Sequence, residues 1–272
     1  MSHFSVLVVG RNIDKQLARF DENLDTPQYV SHTKEELIAN GRKEIESYKN
    51  RIYAEYLKDP EAYKESCKHS NPHFRYVSEE FPEKLNWTDA QIYEDKIKYE
   101  EEDDITPEGG VYSTYNPNSK WDWYSVGGRW KDLLKLKSEG FADATKFSEI
   151  NWDAMRNDTT AYDKAIRFWE LIVEKQEAVS DSDKETVKWS FYKPEFYTER
   201  YPNKEAYAKT TAEFTTFAVL KEGKWYEKGE MGWFGGSSDS GDDEMKWAQN
   251  FWDNFLKDCN GDTEITVVDC HI

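Results

Sequence analysis

Residues suited to acid–base and nucleophilic work stand near both ends of the chain: His3 at the start, and Asp269, Cys270 and His271 at the close. Adjacent residues on a strand face opposite ways, so Cys270 and His271 do not readily pair with one another. If the terminal strands lie side by side, His3 meets Asp269 or His271 and a small His/Asp pocket forms. The competing reading is a satisfied structural hydrogen bond. A second candidate is Arg129, which leaves Gly127-Gly128 with Trp130 behind it. A guanidinium fork beside aromatic planes suits a phosphate, a carboxylate or a nucleotide base. The third is Cys67, His69 and His73, a C-x-H-x3-H cluster of zinc-type ligands. It has no evident fourth ligand, so no metal is expected there, and no cofactor elsewhere. The chain contains no GxGxxG, GxxxxGK[ST], GxSxG, HExxH or paired CxxC. Its carboxylates are too many to single out a catalytic pair, so no catalytic residue is assigned.

The most unusual window is 116–130, NPNSKWDWYSVGGRW. Asn116-Pro117-Asn118 is turn chemistry. Strand alternation then puts Trp121, Trp123 and Ser125 on one side and Asp122, Tyr124 and Val126 on the other. The glycine pair ends or bends the strand. One reading is a core strand with a glycine bulge. The other is a binding corner made of Trp121, Trp123, Tyr124, Gly127, Gly128, Arg129 and Trp130, joined by His3, Asp269 and His271.

The elements that must position these residues follow from pattern. FSVLVV near the start and TEITVV near the end read as buried strands. FTTFAVL and WYEK flank KEGK, a hairpin turn. Thr33 to Glu36 is a capping box that opens a long amphipathic helix, which ends before Pro60. Helices are also expected from Thr88, over 162–177 and over 244–256. VKWSFY (187–192) alternates like a strand. Pro194 and Pro202 bracket a tyrosine-rich loop whose rings are either packed or an interface. The pattern predicts an α+β fold. Its mixed or antiparallel sheet uses the two terminal strands, the central WDWY strand and the C-terminal hairpin, with helices on one face. The core spans 1–32, 105–139 and 209–272, with helical insertions at 33–104 and 140–208.

The chain has 272 residues and a net charge of −18, from 36 basic and 54 acidic side chains. That balance disfavours direct nucleic-acid binding and contact with anionic membranes, and favours partners with basic surfaces. With 11 Trp, 17 Tyr and 14 Phe, the chain is too aromatic to be a disordered acidic segment. Three cysteines form no disulfide framework and fit a reducing cytoplasm. No signal-like leader or membrane-length apolar run is present.

The strings MSHFSVLVVG, STYNPNSKWDWYSVGGRW, WYEKGEMGWFG and DCHI together resemble a family of acidic proteins carried by bacteriophages and prophages. The resemblance runs over nearly the whole chain. Within that setting the size and acidity are similar to anti-defence proteins, the Gabija anti-defence type among them. The resemblance implies a non-enzymatic homo-oligomer in the host cytoplasm that wraps a nuclease–helicase defence complex and blocks its access to DNA. It assigns no chemistry residue by residue. The rival expectation is a small phage enzyme acting on a nucleotide or other phosphorylated substrate. Arg129 would then hold the anion, and His3, Asp269 or His271 would act as acid or base. A third is a virion or scaffold component.

Overall fold

The apolar run near the start forms the strand His3–Val9, buried from Phe4 onward. In the computed structural model, which describes residues 2–68, 70–232 and 236–272, this strand is central to a mixed sheet. The path across the sheet is Trp123–Val126, Glu264–His271, His3–Val9, Ala218–Lys221 and Lys224–Glu227. The C-terminal strand runs antiparallel to His3–Val9, with His3 opposite His271 and Ser5 opposite Asp269. Ala218–Lys221 lies parallel on the other side. It turns back through Glu222 and Gly223, both at positive φ, into Lys224–Glu227.

Alternation along the central strand sends Phe4, Val6 and Val8 to one face and Leu7 and Val9 to the other. The second face packs on Phe251, Phe255 and Leu256 of the helix Gly241–Phe251 and the turn after it, together with Trp152. The first face is covered as well, by Leu17 and Phe20 and by Trp121 and Trp225. Helical elements therefore lie around the sheet and not on one face alone, as the order of elements suggested. A strand apolar on both sides must be buried on both sides.

The chain divides into two compact units, Met1–Leu24 with Asn116–Ile272, and Asp25–Tyr115. Residues 140–208 belong to the first unit rather than forming a separate insertion. Ala144–Lys146 pairs with the C-terminal strand at Glu264–Thr266. The helix Thr159–Ile172 gathers Trp169, Leu171 and Ile172 with Tyr197 and Tyr201 into a satellite core. The expected strand at 187–192 is instead the last two residues of the helix Asp181–Lys188, opened by a Ser180/Asp183 capping box, and an irregular segment after it. The expected tyrosine loop is the helix Pro194–Arg200, with proline at its first position. Tyr197 and Tyr201 are buried there, so the packed reading holds for those two rings.

In the unit Asp25–Tyr115, the Thr33/Glu36 capping box opens Lys34–Tyr48. The helix continues through a π-turn, Lys49–Tyr53, into Ala54–Lys58. Gly41 inside it has a packing reason. A Cβ there would overlap Ile92 of the helix Asp89–Ile97. Two short strands, Tyr29–His32 and Val111–Ser113, pair in this unit.

Candidate functional site

Three segments far apart in the sequence meet at one end of the large sheet. The register places His3 opposite His271, and His271 opposite Trp123. All three side chains, with Asp269 and Ser125, occupy the face that carries Leu7 and Val9. His3 Nδ1 lies 2.9 Å from Asp269 Oδ1. His271 Nδ1 lies 2.6 Å from Asp122 Oδ1. A carboxylate only accepts, so each imidazole donates to it through Nδ1. The two rings are 4.9 Å apart at 73°. Trp123 stacks on His271 at 5.3 Å and 19°, and meets His3 edge-on at 5.4 Å.

The glycine pair has a steric reason for being here. Gly127 and Gly128 both sit at positive φ. A Cβ on Gly128 would overlap Asp269 and Ser125, and one on Gly127 would overlap Asp143. Glycine lets the chain press against Asp269, and the Arg129 backbone N–H then donates to Asp269 Oδ2 at 3.0 Å. Asp269 thus accepts one bond on each oxygen and is buried. The Arg129 side chain is exposed and forms no ion pair with any described residue.

The proposed corner therefore splits. His3, Trp123, Gly127, Gly128, Arg129, Asp269 and His271 come together. Trp121 does not join them: the strand begins only at Trp123. Trp121 is buried in the cluster on the opposite face, where its indole N–H donates to the Leu17 carbonyl at 3.2 Å. Tyr124 faces that same side, 5.1 Å from Trp121. Burial, with the Asp14 carboxylate as hydrogen-bond partner, pushes its phenol up to about 12. Trp130 packs into the core cluster of the second face. Cys270 points away from the histidines and is buried in the sheet, and that burial pushes its thiol well above the ordinary range.

Asp122 was not among the candidates, because alternation placed it opposite Trp123. It precedes the strand, so alternation does not govern it. Its backbone N–H donates to the His271 carbonyl at 2.9 Å, which brings its carboxylate back to the ring. The signal available in the sequence was an acid set between two tryptophans.

His69 lies outside the described residues, as do Trp233, Phe234 and Gly235 of the second glycine–aromatic stretch. His73 Nε2 lies 2.9 Å from the Tyr63 hydroxyl. Among the described residues no three His, Cys, Asp or Glu gather as a metal site.

A second feature lies on the same unit. Val187 is 47% exposed, Trp189 62%, Phe191 90% and Tyr192 55%. The run follows the end of the helix Asp181–Lys188, where Asp183 accepts from Arg167 at 2.7 Å. Tyr192 stacks on Phe196 at 4.1 Å, which anchors one end of the run. No described helix is long and apolar enough to cross a membrane. Comparison with family models, with curated proteins and with solved structures gives no match to this chain.

Proposed function

We propose that the chain is a phage counter-defence protein, one that binds a host nuclease–helicase complex of the Gabija kind and blocks its access to DNA. The observation that carries this reading is the run Val187, Trp189, Phe191 and Tyr192, exposed on a chain of net charge −18. Contiguous exposed aromatics are what interfaces use as anchors, and single scattered apolar residues are not. The charge selects the occupant: a protein whose surface is basic because it handles nucleic acid. The His/Asp centre offers less to a ligand, since the side chains of His3 and Asp269 are 13% and 3% exposed and that of His271 is 6%. The resemblance adds a homo-oligomer working in the host cytoplasm.

The test is co-expression with such a defence complex, followed by co-purification, measured affinity and phage plating. The reading requires a stoichiometric complex and restored plating. Replacing both Trp189 and Phe191 by Ser lowers the affinity at least tenfold at unchanged melting temperature. Intact defence in the presence of the folded protein overturns it.

The paired imidazoles favour a second reading, an acid–base centre for a nucleotide or other phosphorylated ligand. His3 and His271 would serve as base and acid beside the uncommitted Arg129 guanidinium. Incubation with nucleotides and phosphodiesters, followed by phosphorus NMR, tests it. Turnover that disappears in folded His3→Ala and His271→Ala supports it. Absence of product removes it.

A further inference from the structure

The unit Asp25–Tyr115 holds a partly open cavity of about 170 Å³. Its wall is unlike an ordinary packing gap. Tyr48, Tyr76, Phe81 and Trp87 line it with aromatic rings, and two ion pairs, Lys84 with Asp95 and Lys96 with Glu44, stand at its polar side. Tyr48 lies 4.5 Å from Phe81 and 5.5 Å, at right angles, from Tyr76. Lys84 Nζ contacts Asp95 Oδ2 at 3.0 Å and sits 4.4 Å over the Trp87 ring. Each of these cations already has a carboxylate partner.

Two independent features single out this cavity. First, the Tyr48 hydroxyl is buried and has no hydrogen-bond partner among the described residues. Buried polar atoms are almost always paired, so an orphan calls for a partner such as a water, an ion or a ligand. Burial, followed by the neighbouring Tyr63 and Tyr76 phenols, raises Tyr48 to about 12, so the group is a neutral O–H donor. Second, two of the helical segments that line the cavity run into a π-turn beside it. Tyr48 immediately precedes Lys49–Tyr53, and Tyr76 opens Tyr76–Glu80. Such wide turns are rare and concentrate where side chains are re-aimed for function.

We propose that this cavity is a binding site for a neutral, single-ring heteroaromatic compound, one whose ring nitrogen or carbonyl accepts a hydrogen bond from Tyr48. The size supports one ring: apolar cavities of about 150 Å³ take up benzene. The aromatic wall supplies edge and face contacts for a flat ligand. The paired state of Lys84 and Asp95 selects against a charged ligand, which would have to break that bond. The orphan hydroxyl selects for an acceptor over plain benzene. This inference is independent of the partner proposed above.

The experiment uses the full chain with two probes, nicotinamide and benzene, read by chemical-shift perturbation and thermal shift. Nicotinamide binds more tightly than benzene and perturbs the tyrosine ring signals. In Tyr48→Phe the nicotinamide affinity falls about tenfold while benzene binding is unchanged. Tyr48→Phe also melts no lower than the parent without probe, because it removes an unpaired buried hydroxyl. Folding is thereby separated from binding. Failure of nicotinamide to bind at 10 mM, about the weakest affinity of interest for one ring, overturns the proposal and leaves a cavity that holds water. Equal loss of both probes in Tyr48→Phe overturns it too, since the hydroxyl is then not the anchor.

Discussion

His3 and His271 face one another across the two terminal strands, with ring centroids 4.9 Å apart, and each rests on a different carboxylate. One carboxylate belongs to the C-terminal strand itself. The other comes from the central aromatic stretch. The paired rings thus tie three segments into one hydrogen-bonded knot at the end of the sheet.

The two carboxylates should not contribute equally. Asp269 is buried and accepts from both His3 and the Arg129 backbone. Asp269→Ala leaves two inward donors unpaired and is expected to cost about 3 kcal/mol. The Asp122 side chain is 28% exposed, so water replaces much of what is lost there. Asp122→Ala is expected to cost about 1 kcal/mol. Urea unfolding of the two variants measures the difference, and equal losses would contradict the burial argument.

Arg129→Ala separates main chain from side chain. The bond to Asp269 comes from the backbone N–H and survives the substitution. Stability should stay within about 0.5 kcal/mol of the parent. Under the acid–base reading, binding of a phosphorylated ligand is lost at the same time. A variant that unfolds instead would show that the side chain has a structural role.

Glycine at 128 and glycine at 223 make a controlled comparison. Both have positive φ, +55° and +71°. A Cβ at 223 meets nothing within 4 Å, whereas one at 128 runs into Asp269. Gly223→Ala carries only the backbone strain, about 1 kcal/mol. Gly128→Ala adds overpacking and is expected to reach about 3 kcal/mol. Similar melting temperatures for the two variants would refute the close approach at Asp269.

Glu244 should contribute to acid sensitivity. Burial alone would raise its carboxyl. The Tyr201 hydroxyl at 2.5 Å, with Lys228 at 3.0 Å and Arg200 at 3.2 Å, outweighs burial and holds it below the usual range. A folded value below the unfolded one, about 4.3, means the stabilisation is whole above that pH. It is lost as pH falls through the lower folded value. Glu244→Gln should therefore lower stability at pH 7 and flatten the acid limb of the urea midpoint. An unchanged limb would place the sensitivity elsewhere.

The sheet was readable because its signals are local. Apolar runs, the KEGK turn and the Thr33 capping box each act through neighbours in sequence. The meeting of His3 with Asp269 was legible too, as soon as the terminal strands were set side by side. Trp121 and Asp122 were misplaced for one physical reason. Alternation was applied before the strand had begun, at Trp123. The segment 187–192 misled because WSFY alternates by chance after a helix whose cap, Ser180, lies seven residues upstream of Val187. The orphan Tyr48 hydroxyl had no sequence signal, since it depends on how several helical segments, two of them π-turns, fit together.

The pairing of the terminal strands also governs how the chain is made. His3 and Asp269 stand 266 positions apart, yet they close the same hydrogen bond at the end of the two paired strands. A strand leaving the ribosome first must wait, apolar on both faces, until Glu264–His271 follows it. Contacts between such distant positions form slowly, and an unpaired central strand invites association with other chains. Yield should therefore respond to translation rate and to chaperone supply more than to any single side chain on the surface.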